Sequence, residues 1–304
     1  MRALFVDAND TLAAVTEKLL RSQSLPVGIN RNAGITPDDL PGLLDGAEIM
    51  IVDHTALPTE IARKCAGLRH VVFLGTGARS YMNPEELAEL GISVHLIKGY
   101  GDTAVAESAI ALMWASARVL AQMDREMRGG NWLREDGMQL TGKTLGLIGF
   151  GGIAAEVARI ARGSGMRVIA WNRTPKTSAG VEFVSLDRLL ADSHVVSLHL
   201  LLNDETRGFL SRERIVALRP GVILVNTARG ALVDEAAMLE ALNSGHIRHA
   251  GLDVFNVEPL PRDHPLTKLP NVTLSAHSAF RTPEASENLI SAAWEHCRRI
   301  AKGA

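Results

Sequence analysis

Short, nearly continuous apolar runs separated by stretches of helical periodicity fill the first hundred residues. The runs are RALFVDA (2–8), EIMIVD (48–53), HVVFLGTG (70–77) and ISVHLIKG (92–99), and stretches such as PEELAELG (84–91) separate them. A strand that is apolar on both faces belongs to a parallel sheet covered by helices, so this pattern predicts an α/β lobe. A longer helix is expected from Ala104 to about Met127, where Ala, Leu, Met and Val recur at helical spacing, and it leaves the first lobe for a second. Strand candidates resume at Thr144, Arg167, Val181, His194, Val222, Ile247 and Val272, which makes the second lobe α/β as well. A last helix, Pro283 to Ala301, is long enough to return and cover the first lobe, so the first domain is expected to be discontinuous.

The most specific local pattern is TLGLIGFGGIAAEVARIARGSGMRVIAWNR, residues 144–173. It reads as strand, glycine turn, helix and strand. Gly149, Gly151 and Gly152 let the backbone turn tightly beside a diphosphate, and a helix from Ile153 to about Ser164 offers its N-terminal N–H groups to phosphate oxygens. Ala154 replaces the third glycine of the usual pattern, and its methyl still permits close helix packing. Without its flanking elements the pattern describes an ordinary tight turn equally well; with them it predicts a dinucleotide site. The second strand ends in Asn172, Arg173 and Thr174, where an NAD site normally carries an acid for the adenosine ribose. With no carboxylate to repel it, a 2′-phosphate could pair with Arg173 and bond Thr174, which favours NADP(H) over NAD(H). The plainer alternative is a solvated basic turn.

Composition narrows the partners. The chain has 304 residues, 46% of them apolar, and a net charge of -2, which suits two soluble domains and gives no nucleic-acid surface. No apolar run reaches the length of a membrane span, and MRALFVDAND enters a candidate strand with no basic leader. The two cysteines, Cys65 and Cys297, lack metal-ligand spacing, and the ten histidines form no HExxH-like cluster. A cytoplasmic protein without a catalytic metal is expected.

Nicotinamide chemistry needs a proton donor beside the reacting oxygen and a cation for an anionic substrate. Three segments that follow strands could supply them. In GVILVNTARGALVD, Arg229 follows an apolar strand, although a helix-end arginine paired at the surface would read the same way. In HAGLDVFNVEPLP, Asp253 and Glu258 flank a strand end and are either solvated loop charge or the partner of a histidine, since a neighbouring acid orients an imidazole and favours its charged form. In NVTLSAHSAF, His277 follows a short strand among small residues, and a lone histidine there is more often structural.

Taken together, GKTLGLIGFGGIA, VVSLHLLLNDETRGFL, LRPGVILVNTARGALVDEAAM, GLDVFNVEP and NVTLSAHSAF make the chain resemble the D-isomer-specific 2-hydroxyacid dehydrogenases along essentially its whole length. The resemblance implies an α/β fold of two Rossmann-like parallel-sheet domains. A cofactor domain, 106–284, is inserted into a discontinuous flavodoxin-like substrate domain, 1–105 and 285–304. By the same resemblance Arg229 clamps the substrate carboxylate, His277 donates the proton and Glu258 is its acidic partner, while Asp253 supports the nicotinamide carboxamide. Gly75, Thr76 and Gly77 correspond to a carboxylate-binding loop, Tyr100 to a substrate contact and Phe280 to an apolar wall; plain turn geometry and loop packing remain open for the glycines and Tyr100. The remaining cofactor positions implied are Val105, Phe150, Ile153, Leu200, Thr206, Thr227 and Ala228, and His277 also borders the cofactor. Family members are usually homodimers joined through their cofactor domains, and Trp132 lies where they carry an interface arm.

Three departures from the family pattern stand out: AlaHis at 276–277 for ProHis, Leu201 for a proline, and Ala78–Arg79 for ValAsp. Only the last changes the expected shape of the substrate wall. The implied reaction is reduction of a small 2-keto acid to a D-2-hydroxy acid, with glyoxylate or hydroxypyruvate and NADPH favoured. A D-lactate or phenylpyruvate type of dehydrogenase with a larger pocket, and a cofactor-sensing interaction or corepressor protein, remain the alternatives.

Overall fold

A computed structural model describes residues 1–20 and 27–303. The chain divides into two compact units, Met1–Gly101 with Thr282–Ala304, and Asp102–Arg281. Boundaries at 105/106 and 284/285 would cut the first turns of the helices Asp102–Ala117 and Pro283–Ala301; the observed division falls at or just before each helix start.

The first unit holds five parallel strands: β1 (Ala3–Phe5), β2 (Val27–Ile29), β3 (Ile49–Val52), β4 (His70–Phe73) and β5 (Ser93–Leu96), in the order β2-β1-β3-β4-β5. This is the flavodoxin-like order. Alternate residues of one strand enter opposite cores. Met50 and Val52 pack with Leu4, Val71 and Phe73 on one face, and Ile49 and Ile51 pack with Phe5 and Val72 on the other. The second face is closed by Pro283–Ala301, which buries Leu289, Ile290, Ala293, Trp294, Cys297 and Ile300 there. Cys65 and Cys297 are free and buried; burial pushes the Cys65 thiol up and that of Cys297 up to about 12, so neither is a ready nucleophile.

The second unit holds seven parallel strands: β6 (Thr144–Ile148), β7 (Arg167–Trp171), β8 (Glu182–Phe183), β9 (Val195–Leu198), β10 (Val222–Asn226), β11 (Ile247–Leu252) and β12 (Val272–Leu274). Their order, β12-β11-β10-β9-β6-β7-β8, reverses between β6 and β9, the switch point where such sheets bind ligands at the carboxyl ends of their strands. Leu145 and Leu147 pack toward the helices Asp102–Ala117 and Gly152–Gly163, and Ile148 joins the core on the other face. Helix Asp102–Ala117 lies flush on β11, because a Cβ on Gly251 would stand 2.9 Å from Leu112 Cβ.

Two local expectations are corrected. The long helix expected to Met127 is two helices, Asp102–Ala117 and Leu120–Arg128, bent by 67° at a break where Val119 takes a positive φ of 55°. β2 interrupts the first lobe without a recognisable run; its three residues are only half-buried, so no continuous apolar signal marks it. No single helix among the described residues is long and apolar enough to cross a membrane.

The loop after β3 is fastened by Asp7, fully buried at the end of β1. Its carboxylate accepts from the N–H groups of Asp53 (2.9 Å), His54 (2.9 Å) and Thr55 (2.8 Å) and from the Thr55 hydroxyl (2.8 Å). Above it, His54 places Nδ1 3.3 Å from Asp53 Oδ2 and 3.5 Å from Asp7 Oδ2, and Nε2 2.9 Å from the Ala33 carbonyl. Both ring nitrogens therefore act as donors. The bond to Asp53, helped by the Ala33 carbonyl and the two acidic charges and opposed by burial, raises the His54 pKa to about 9. A raised folded-state pKa contributes stability that is fully present below the unfolded value near 6.5 and lost as pH rises through about 9. The expected outcome for His54→Gln is a lower Tm at pH 6, a smaller difference at pH 8, and wild-type behaviour above about pH 9. A pH-independent difference in melting would count against a charged His54.

Candidate active site

The glycine turn follows β6 at the switch point. Gly149 has φ +87°, and a Cβ there would stand 2.6 Å from the His199 carbonyl oxygen and 2.9 Å from Leu200 Cδ2, so only glycine lets the turn lie against the segment after β9. Gly151 precedes the helix Gly152–Gly163 and offers no side-chain cap, and a Cβ on Gly151 would point into open space. The first N–H groups of this helix are thus left for an outside anion. Phe150 and Ile153 flank the turn with their rings and branches in the adjoining core, and Val105 is half-buried on the neighbouring helix. Thr227 is buried with its hydroxyl unpartnered among the described residues, a group a bound cofactor would satisfy. These features fit a dinucleotide.

At the end of β7, Asn172 and Arg173 already have partners within the unit. Asn172 Oδ1 accepts from the Phe150 N–H at 3.1 Å and its Nδ2 donates to the Thr174 carbonyl at 2.7 Å, so this side chain braces the glycine turn. Lys176, not anticipated from the sequence, donates to the Phe150 carbonyl at 2.6 Å and brings a second cation to the same corner. Arg173 is exposed and paired with Glu205. Thr206 is engaged within its own loop, donating to the Leu201 carbonyl at 2.6 Å, and Leu201 itself is exposed. His199, beside the turn, bonds the Ser197 hydroxyl at 2.9 Å, and burial holds its pKa down to about 4, so it stays neutral.

The three chemical segments follow β10, β11 and β12, which are neighbours in the sheet, and therefore emerge side by side on one edge. After β10, Asn226 shapes the turn: its side chain accepts from the Ala228 N–H at 3.0 Å and donates to the Arg229 carbonyl at 2.9 Å. Arg229 is exposed and leans back on the Ala228 carbonyl at 2.6 Å, with no carboxylate partner among the described residues. The surface-paired reading of this arginine does not hold. Gly230 touches the backbone of the next segment, because a Cβ would overlap the carbonyl carbon of Phe255. That contact locks the Arg229 turn to the loop that carries Glu258.

After β11, Asp253 is fully buried and organises the segment after β12. Its carboxylate accepts from the Ser275 hydroxyl (2.5 Å) and from the N–H groups of Ser278 (3.0 Å) and Ala279 (2.9 Å), and its backbone carbonyl takes the His277 N–H at 2.8 Å. Both oxygens thus hold the histidine loop. His277 adopts a positive φ of 47° within this loop. Its Nδ1 lies 2.6 Å from Glu258 Oε2, and Glu258 Oε1 accepts from the Phe255 N–H at 2.8 Å, which leaves His277 Nε2 without a partner among the described residues. A second histidine–carboxylate pair, His264 with Glu235 at 3.2 Å, differs because His264 Nδ1 accepts the Leu266 N–H and both ring nitrogens are engaged. Phe280 is half-buried three residues beyond His277.

In the first unit, Gly75 is buried and its N–H donates to the Phe73 carbonyl at 2.8 Å, so it is not a donor to a substrate. Thr76 and Gly77 keep their N–H groups free of backbone partners among the described residues. Tyr100 packs its ring against the unit's core and accepts at its carbonyl from Asn288, 3.4 Å away. Arg79 pairs with Glu85, and Ala78 is buried. No group of three potential metal ligands occurs among the described residues.

Residues 110–279 match the model of the D-isomer specific 2-hydroxyacid dehydrogenase, NAD binding domain. The chain is 36% identical over 292 residues to the hydroxypyruvate reductase of Thermotoga maritima, covering 93% of this chain and 94% of that protein. It is 40% identical over 227 residues to the glyoxylate reductase of Aeropyrum pernix, covering 70% and 68%. Among solved structures, an acyclic imino acid reductase in complex with NADPH and D-Arg matches with a TM-score of 0.89 at 28% identity, covering 100% of this chain and 98% of that one.

Gly230→Ala tests the packing that aligns the site. Moving the 229–230 turn away from Phe255 displaces Arg229 from the Glu258 loop, so kcat/KM is expected to fall tenfold or more with far-UV circular dichroism unchanged, since misplacement by about 1 Å is enough. Wild-type kinetics in Gly230→Ala would show that this contact does not set the geometry.

Proposed function

The chain belongs to the D-isomer-specific 2-hydroxyacid dehydrogenase family, and from its site we infer that it reduces glyoxylate or hydroxypyruvate with NADPH as the preferred cofactor. The observation that carries the chemistry is the His277–Glu258 pair with Nε2 left open, on the strand edge it shares with the unpaired Arg229.

Bound nicotinamide supplies the hydride. Arg229 holds the substrate carboxylate by a charge-assisted pair and draws the 2-keto group toward the histidine. Glu258 accepts from Nδ1 and fixes the ring, so in the imidazolium the transferable proton sits on Nε2, facing the ketone oxygen as charge develops on it. Nε2 donates that proton during reduction and accepts one in the reverse reaction. Asp253 acts through the loop, keeping His277 where Glu258 can reach it.

The preference for NADPH is supported by Arg173 at the end of β7, by the absence of an acidic side chain at 172 to 174, and by Lys176 beside it. The choice of acid is supported by the reductases to which the chain is similar. A homodimer is supported by Trp132, 78% exposed, and by Leu120 and Met127, also exposed in the same unit, since oligomers cover exposed large apolar side chains. A cytoplasmic location agrees with the two free thiols. No feature of the site favours the larger-pocket or interaction-protein alternatives.

Following NADPH and NADH oxidation by absorbance across glyoxylate, hydroxypyruvate, pyruvate and phenylpyruvate should give fastest turnover with one of the first two acids and NADPH. Arg173→Ala should lower kcat/KM for NADPH by about tenfold or more and leave NADH within a fewfold, as loss of one phosphate pair requires. Phenylpyruvate as the best substrate would overturn the assignment of the acid, and an unchanged cofactor ratio in Arg173→Ala would overturn that of the cofactor.

A further inference from the structure

Helix Asp102–Ala117 packs along helix Gly152–Gly163, and its first residue meets the first residue of that neighbour. Asp102 lies so close to Gly152 that a Cβ on the glycine would overlap carboxylate oxygen Oδ2. The half-buried carboxylate has no hydrogen-bond or ion-pair partner among the described residues, and burial pushes its pKa up. An unpaired acid thus stands at the uncapped positive end of the helix whose N–H groups receive a dinucleotide diphosphate.

The surroundings supply no compensating charge. On Gly152–Gly163, Glu156 and Arg159 bond each other at 2.6 Å, and Arg162 donates to the Ala179 carbonyl at 2.8 Å. On its own helix the other charged residue is Glu107, which acts on Arg159. β10 carries no charge. On β11, Arg248 donates to the Asp136 carbonyl at 2.5 Å and His249, with its pKa pushed down to about 4 by burial, is neutral. On Leu120–Arg128, Asp124 bonds Arg128, Arg125 donates to the Pro270 carbonyl, and Glu126 accepts from Asn131. β12 is uncharged.

We propose that Asp102 is a built-in stand-in for the cofactor's diphosphate. In the free protein its carboxylate lies against the first residue of the helix, and on dinucleotide binding it takes up one proton from solvent and donates a hydrogen bond to a diphosphate oxygen. Two anions cannot share the helix end without cost, and the neutral carboxyl relieves their repulsion. Because Gly152 leaves the space that brings the acid this near, the two residues act as a pair. Affinity for either dinucleotide then rises as pH falls, a dependence that sits on the diphosphate and is separate from any choice made at Arg173. The inference rests on the family's dinucleotide site and not on the preference for NADPH.

The test is calorimetric titration of the full chain with NADH, which lacks a titrating 2′-phosphate, from pH 5.5 to 8 and in buffers of different ionisation enthalpy. The wild-type protein should bind about one order of magnitude less tightly at the top of this range than at the bottom, with proton uptake on binding. Asp102→Asn should bind about tenfold more tightly than wild type at pH 8, with little pH dependence and no such uptake. Asp102→Ala serves as the second variant, and circular dichroism and melting of the unliganded proteins verify folding. Equal affinity, pH dependence and proton uptake in wild type and folded variants would overturn the proposal, as would weaker binding by both variants at every pH. A change in the ratio of NADPH to NADH affinity would bear on the cofactor preference alone.

Discussion

The buried carboxylate of Asp253 is the constraint on which the chemistry depends. It stands one residue past β11 and gathers the Ser275 hydroxyl and two N–H groups of the following loop, while its backbone carbonyl takes the N–H of His277. A fully buried acid with both oxygens satisfied is stable only in that arrangement, and losing a partner would leave a buried charge or donor uncompensated. The loop is therefore held in one shape, including the left-handed backbone at His277, and that shape brings the imidazole onto Glu258. A neighbouring strand fixes Arg229 by a parallel device, the Asn226 side chain and the glycine contact at Phe255. Rigid strand ends and engaged polar groups place the reactive side chains, and in these three segments His277 Nε2 and the Arg229 guanidinium are without a carboxylate partner among the described residues.

The same logic separates this site from other polar clusters in the chain. His264 also meets a glutamate, yet its second nitrogen caps a short turn. His199, half-buried, and His249, buried, are both held neutral by desolvation. His54 is charged, but both of its nitrogens tie loops of the first unit together. What distinguishes His277 is one nitrogen held by a carboxylate and the other open.

Much of the architecture was legible because parallel strands bury both faces. The seven strand candidates of the second unit fall on or within a residue of the observed strands, and the closing helix coincides with Pro283–Ala301. The failures have physical causes. β2 is three half-buried residues with no apolar run to announce it, and the break at Val119 carries neither Gly nor Pro, so helical periodicity reads straight through it. Arg229, Glu258 and His277 were visible through family motifs, as was the pairing of the last two, but the Asn226 turn and the glycine contact at Phe255 that hold Arg229 were not. Asp253 was singled out, but its hold on the histidine loop was not legible, because its hydrogen bonds reach residues more than twenty positions away. Asn172 bonds Phe150, and Lys176 reaches the same turn, across similar separations. Asp102 becomes legible only when two helix starts, fifty residues apart in the chain, are seen to meet at a glycine.

The most direct test of the catalytic arrangement is steady-state reduction of glyoxylate and hydroxypyruvate by His277→Asn, with dinucleotide binding followed by fluorescence on the same protein. A proton donated from Nε2 predicts kcat lower by about a hundredfold or more while dinucleotide affinity stays near wild type. Turnover within a fewfold of the wild-type enzyme would contradict the assignment of His277 as the proton donor.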